Sequence, residues 1–184
     1  MSNNSRPKIS VFIATSIDGY IAKKDGNLDW LTTFSPPTSA DEDKDCGYSK
    51  FISSVDVLVM GRNSYETVAK FNPWPYQGKR VIVISTSLTS VCEQAKLYSG
   101  EITPLIEKLH AEGIKHIYVD GGVTISNFLN AGLVDRMIIS LIPVVLGSGI
   151  PLFSQINNDK WCSLISSQAY SNGLVQLEYA LISQ

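Results

Sequence analysis

Asp56-Val57-Leu58-Val59-Met60-Gly61-Arg62-Asn63-Ser64 is the stretch whose reading fixes the architecture. Its first half is apolar at successive rather than alternate positions, which suits a strand buried on both faces. Gly61-Arg62-Asn63 ends that strand, and Ser64 to Phe71 reads as a short helix that Asn72-Pro73-Trp74-Pro75 stops. One strand, one tight turn and one helix follow each other without a spacer. The rest of the chain repeats this alternation.

Upstream, Ile9 to Thr15 predicts a buried strand closed by Asp18-Gly19. Lys23 to Thr38 is loop-like, with Asp25-Gly26-Asn27 and Pro36-Pro37. Ala40-Asp41-Glu42-Asp43 has the acidic character of a first helical turn. Tyr48, Phe51, Ile52 and Val55 then fall on one apolar helix face. Downstream, Arg80 to Ile84 is a third strand, ended by the hydroxyl cluster Ser85-Thr86-Ser87. Ile102 to Glu112 predicts a helix stopped by Gly113. His116 to Val119 is a strand, Gly121-Gly122 a tight turn, Val123 to Ala131 a helix, and Arg136 to Val145 a long strand. Trp161 to Ser183 holds two strands around Ser171-Asn172-Gly173, a hairpin signal. The expectation is an α/β fold: a single three-layer domain over residues 1–184, with a mostly parallel central sheet, helices on both faces and an antiparallel hairpin at one edge.

Composition narrows the function. The chain has 184 residues, 15 basic against 17 acidic side chains and a net charge of −2, which leaves no basic footprint for nucleic acid or an anionic membrane. Cys46, Cys92 and Cys162 contain no CxxC pair, and with only His110 and His116 no zinc spacing can be written, so no metal is expected. No apolar run reaches the length of a membrane span, and the polar N-terminus leads straight into a strand rather than a signal peptide. The expectation is a soluble, reduced, cytoplasmic chain.

Ligands of open α/β sheets bind beyond the carboxyl ends of the strands. Three such ends carry residues suited to phosphate: Gly61-Arg62-Asn63-Ser64, Ser85-Thr86-Ser87, and Asp120-Gly121-Gly122 at a helix entry. Together they point to a nucleotide. The G-x-G-x-x-G fingerprint, the P-loop and the G-x-S-x-G elbow are all missing.

These residues, with Ser16-Ile17-Asp18-Gly19-Tyr20-Ile21-Ala22, Leu133-Val134-Asp135, Pro143, Leu146, Gly147 and Pro151-Leu152-Phe153, give the chain a resemblance. It resembles the dihydrofolate reductase-like superfamily, and specifically the reductase domain of bifunctional riboflavin-biosynthesis proteins and its stand-alone relatives. The resemblance implies an NADPH-dependent reductase acting on a C=N or C=O of a pyrimidine- or pterin-like substrate, similar to 5-amino-6-(5-phosphoribosylamino)uracil reductase. By the same resemblance Gly61, Arg62, Asn63 and Ser64 contact the pyrophosphate and 2′-phosphate, and Ser85 and Thr86 lie beside the adenosine. Gly121, Gly122, Val123 and Thr124 form the second phosphate turn, and Ala14, Thr15 and Ile21 wall the nicotinamide.

Asp45 precedes Gly61 by the interval that separates the substrate carboxylate from the same glycine in dihydrofolate reductases. It is therefore the expected catalytic acid, with a pKa raised by neighbours such as Trp30 and Tyr48. Trp30, Tyr48 and Ser49 are the substrate-side candidates. Departures from the riboflavin reductases fall at Tyr20, at Phe71-Asn72-Pro73-Trp74-Pro75 and at Asp120, where the resemblance places recognition of a phosphoribosyl pyrimidine. The alternatives are an NADP(H)-binding or sensing protein without turnover, and a dihydrofolate reductase. A homodimer is expected from the apolar edge offered by Arg136–Val145 and the terminal hairpin.

Overall fold

In the computed structural model, which describes residues 6–40 and 43–182, the apolar strand at the centre of the sequence lies deep in an eight-stranded sheet. Asp41 and Glu42 of the expected acidic helix start, and Ser183 of the expected last strand, lie outside the described residues. The chain runs β1 (Lys8–Ser16), β2 (Tyr20–Ala22), α1 (Asp29–Thr32), α2 (Tyr48–Ser53), β3 (Val57–Gly61), α3 (Arg62–Val68), β4 (Arg80–Ile84) and β5 (Ala95–Tyr98). It continues through α4 (Ile102–Ala111), β6 (His116–Asp120), α5 (Gly122–Asn130), β7 (Arg136–Ile142), β8 (Ile150–Pro151), β9 (Cys162–Ala169) and β10 (Val175–Leu181).

Strand order is β5-β4-β3-β6-β1-β7-β10-β9. Every pairing from β5 to β7 is parallel, and β10 joins β7 antiparallel, with β9 on its far side. The expected mostly parallel sheet with a terminal antiparallel hairpin is what the chain forms. Val57, Leu58, Val59 and Met60 are fully buried, because their alternating side chains enter two different cores. On one face Val57 and Val59 meet Leu105, Leu109, Ile125 and Phe128 of α4 and α5. On the other Leu58 and Met60 meet Phe51 of α2 with Tyr65 and Val68 of α3. Each such large side chain contributes roughly 1.5–3 kcal/mol on burial, so both faces must be covered.

The differences from expectation have local causes. β7 stops at Ile142 rather than Val145, because Pro143 has no N–H to continue the ladder. It is also an interior strand, and the edge offered by the terminal hairpin is that of β9. α2 begins only at Tyr48, after Gly47 in the left-handed region (φ 82°), which leaves Asp43 and Asp45 in a turn before the helix. The Lys23–Thr38 loop contains the single turn α1, and Tyr20–Ala22 pairs with Ile150–Pro151 as a separate two-stranded ribbon. The hairpin closes through Ser171-Asn172-Gly173, with Tyr170 N–H on Leu174 O at 2.8 Å and Gly173 at φ 88°.

Candidate active site

Four parallel strands, β4, β3, β6 and β1, end side by side. α3 leaves β3 on one face of the sheet and α5 leaves β6 on the other, so the two turns face each other across neighbouring strand ends. Their approach is close enough to require glycine. A Cβ on Gly61 would lie 2.6 Å from Thr124 Oγ1, and one on Gly121 (φ 93°) would collide with Ser64 Oγ. A Cβ on Gly122 would meet Pro151 O at 2.5 Å and Ile21 Cδ1 at 3.3 Å. The turns Gly61–Ser64 and Gly121–Thr124 and the wall residue Ile21 thus come together. The N-cap of α5 is Gly121, which has no side chain to cap the helix start.

Arg62 reaches sideways. Its Nε pairs with Glu66 Oε1 at 2.6 Å, and its Nη1 donates to Ser87 Oγ at 3.1 Å, at the end of β4. Ser85 is buried and its Oγ accepts the N–H groups of Ser87 (3.2 Å) and Leu88 (3.1 Å), which shapes the loop that presents Ser87. Thr86 and Asn63 are exposed beside this cradle, and Val123 is exposed at the α5 entry. At the end of β1, Thr15 is buried and its Oγ1 has no partner.

The other half of the cleft was not legible from motifs. Phe12 and Ala14 of β1 and Tyr118 and Asp120 of β6 point to the α2 side of the sheet. Tyr118 Oη donates to Phe12 O at 2.8 Å and lies 3.4 Å from Asp120 Oδ1. Asp120 keeps part of its surface open to solvent. Burial nonetheless pushes its pKa above the usual aspartate range, against the opposing hydrogen bonds of Ser64, Gly121 and Tyr118. Tyr48 and Tyr76 lie close together beside Asp120. Burial and the nearby Asp120 push Tyr48 up to about 12, and the same causes raise Tyr76. Tyr48 stacks edge-on against Phe12, with ring centres 5.4 Å apart. Trp30 shares the apolar cluster of Ala14, Ile142 and Val144, and its buried Nε1–H has no partner.

Asp45 is placed differently from expectation. Its Oδ2 accepts Ser49 N–H at 2.7 Å and its Oδ1 accepts Gly47 N–H at 3.1 Å, so the carboxylate closes the turn that starts α2. Burial pushes its pKa up, but the bonds from Ser49, Asp43 and Gly47 outweigh this and hold it below the ordinary value. The expected upward shift is thus corrected: a carboxylate fed by N–H donors favours its charged form. Ser49 is exposed and tied to Asp45. Asp120, which the resemblance sets among the substrate-recognition positions and not as the acid, is the aspartate whose pKa is raised. The available signal was a carboxylate ending a fully buried strand immediately before two glycines.

The chain belongs to the RibD C-terminal domain family, whose model matches residues 7–176. That family is the reductase domain of a riboflavin-biosynthesis protein, which places the chain among oxidoreductase domains. It is similar to YwjB of Bacillus subtilis, itself uncharacterized, at 37% identity over 175 residues, covering 94% of this chain and 97% of that one. The crystal structure of a Shewanella sp. PV-4 protein named for riboflavin biosynthesis matches with a TM-score of 0.86 and 39% identity, over 96% of this chain and 99% of that one. The riboflavin biosynthesis protein RibD of Corynebacterium ammoniagenes is 24% identical over 90% of this chain, which spans 52% of that protein.

Proposed function

We propose that the protein is an NADPH-dependent reductase that adds hydride to a C=N or C=O of a pyrimidine- or pterin-like heterocycle. The observation that carries this reading is the meeting of two glycine turns and a hydroxyl-backed guanidinium beside a half-buried carboxylic acid. Thr15 Oγ1, buried without a partner at the end of β1, fits the carboxamide end of such a cofactor. The residues present therefore suit the dinucleotide. Arg62 with Ser85 and Ser87 would hold its extra phosphate, and the α5 entry with Gly121 and Gly122 its pyrophosphate. When bound, it supplies hydride from a nicotinamide walled by Ala14, Thr15 and Ile21.

The chain's own part is to position the acceptor and manage a proton. Tyr48, edge-on to Phe12, and Trp30, packed with Ala14, would cover the Phe12–Ala14 stretch of β1 on the acceptor side. Asp120, with its raised pKa, holds a proton nearer to neutral pH than an ordinary aspartate. From Oδ it protonates the atom on which hydride addition leaves negative charge, and Ser64 and the Gly121 N–H stabilise the carboxylate that results. We also propose a second copy of the chain as partner along β9, an edge strand without a charged side chain that exposes Leu164 and Ile165. Light scattering at micromolar concentration should then give twice the chain mass.

The test of the reductase reading is twofold: NADPH titration by its fluorescence, then loss of its absorbance with a panel of pyrimidines and pterins. Binding with turnover of at least one member supports it. A failure to bind NADPH would sink it, and binding without turnover across a broad panel would favour a sensing role.

A further inference from the structure

β1 and β7 stay paired as far as Ser16 and Ile142, and beyond them Pro143 ends the ladder. Asp18, exposed in the turn after β1, ties the two segments together again. Its Oδ1 accepts Leu146 N–H at 3.1 Å and its Oδ2 accepts Gly147 N–H at 2.7 Å, from residues 128 and 129 positions further along the chain. Gly147 is left-handed (φ 73°), and two successive N–H groups turned toward one anion make a concavity suited to a carboxylate. Ile17 N–H adds a bond to Val144 O at 2.8 Å.

The carboxylate is itself held in place. Buried Ser16 donates its hydroxyl to Asp18 Oδ1 at 2.7 Å and accepts Tyr20 N–H at 3.0 Å. The Ser16 bond, with those from Leu146 and Gly147 and against desolvation, keeps the Asp18 carboxyl below the ordinary aspartate range. Through Ser16 the clamp reaches β2, and β2 pairs with β8, Tyr20 against Pro151 and Ala22 against Ile150. Leu152 N–H donates to Gly19 O at 2.9 Å. The same ribbon lies on the start of α5, where Pro151 O, Leu152 O and Ile21 Cδ1 leave no room for a Cβ on Gly122. A continuous run of bonds and contacts thus leads from Asp18 to the Ile21 side chain and the Gly122 turn. Arg62 and Ser87 stand apart from it, at the ends of β3 and β4, beyond β6 from β1.

We propose that Asp18 is a positioning residue for the nicotinamide end of the cofactor: it clamps the loop after β7 to the β1–β2 turn and so keeps Ile21 and the β2–β8 ribbon seated on the α5 entry. The role rests on the reductase reading for its ligand, whereas the clamp can be tested without any ligand. In Asp18→Ala the Leu146 and Gly147 amides should exchange hydrogen faster than in the parent by NMR, because their acceptor is gone. NADPH and adenosine 2′,5′-bisphosphate, which has the extra phosphate but no nicotinamide, are then titrated by calorimetry. Asp18→Ala should weaken NADPH about 10-fold, the scale of lost hydrogen bonds to a charged group, and leave the bisphosphate unchanged. Asp18→Asn, which keeps one acceptor oxygen, should recover part of that loss. Ser16→Ala, which keeps the carboxylate but removes the hydroxyl that orients it, should show the same selective loss to a smaller degree.

A residue that only supports the fold would weaken both ligands or neither, so an equal effect on the two overturns the proposal. Unchanged exchange at Leu146 and Gly147 overturns it as well. Should Asp18→Ala fail to fold, Asp18→Asn and Ser16→Ala decide by the same selective loss of NADPH. If the parent protein binds neither ligand, the reductase reading has failed and the assignment of Asp18 to a cofactor falls with it, while the amide exchange still reports whether the clamp exists. If the parent binds both ligands and the variants bind them equally well, Asp18 alone is misassigned and the reductase reading survives.

Discussion

On the Arg62–Gly121 side of the cleft, binding groups are backbone turns and short motifs, each contiguous in sequence and pinned by a close approach between two helix entries. On the Asp120 side they are single side chains from β6, α2, the α3–β4 loop and the loop bearing α1. The first arrangement tolerates almost no added volume but does not depend on any one titratable group. The second depends on one desolvated carboxyl and the aromatic rings around it. In the proposed reaction the former would hold the cofactor, and choice of substrate and movement of a proton would fall to the latter.

The contrast is broken most severely at Asp120. Asp120→Asn should lower kcat by about 10²–10⁴-fold, the usual contribution of a positioned acid, with NADPH affinity unchanged in fluorescence titration. In the parent, kcat should fall as pH rises through the raised Asp120 pKa, and the variant should lose that limb. Stability should move the other way. An acid whose folded pKa is raised opposes folding once ionised, so its cost is absent below the unfolded pKa and grows as pH rises through the folded one. Asp120→Asn should therefore be at least as stable as the parent at pH 7 in urea denaturation, with any advantage fading toward pH 4. A variant that is both active and less stable would make Asp120 a structural residue.

Gly122→Ala addresses the opposite side. The added Cβ would meet Pro151 O at 2.5 Å, so the β2–β8 ribbon or the α5 entry must shift. A loss of about 1–3 kcal/mol in stability is expected, together with loss of NADPH-induced thermal stabilisation, and an unperturbed cofactor titration would show that the turns are not the phosphate cradle. Arg62→Ala should be milder. It should weaken NADPH about 10-fold, the scale of one charge-assisted contact, and leave NADH affinity unchanged, since the guanidinium is directed to Ser87 at the end of β4. Equal effects on both cofactors would remove the 2′-phosphate assignment.

The smallest effect belongs to Asp45. Asp45→Ala should cost about 1 kcal/mol of stability, the typical loss for a helix-start cap, with kcat and its pH profile intact. Because its folded pKa is depressed, that contribution is present above the unfolded aspartate value and is lost as pH falls through the folded one. A rate loss comparable to that of Asp120→Asn would return the acid's role to Asp45.

Strand–helix alternation, the parallel sheet and the glycine turns at the strand ends were determined by the sequence itself. Each rests on short-range rules: apolar runs such as Val57–Met60, glycines at strand ends, and the Asn172-Gly173 turn act over a few neighbouring residues. The same local reading missed β5 and the two-residue β8, which are held by ladders with β4 and β2 that no local periodicity announces. It also made β7 an edge, since strand order is set by crossover connections and not by the composition of any strand. Which of the two aspartates is desolvated was decided by tertiary structure alone. Asp45 and Asp120 are both aspartates near aromatic residues in the sequence, yet one receives N–H donors from its own turn and the other is desolvated by side chains remote in the chain. Sequence spacing fixes which residues can share a helix face or a turn, but a pKa answers to the dielectric and dipoles that packing brings within a few ångströms, and those exist only once the chain has folded.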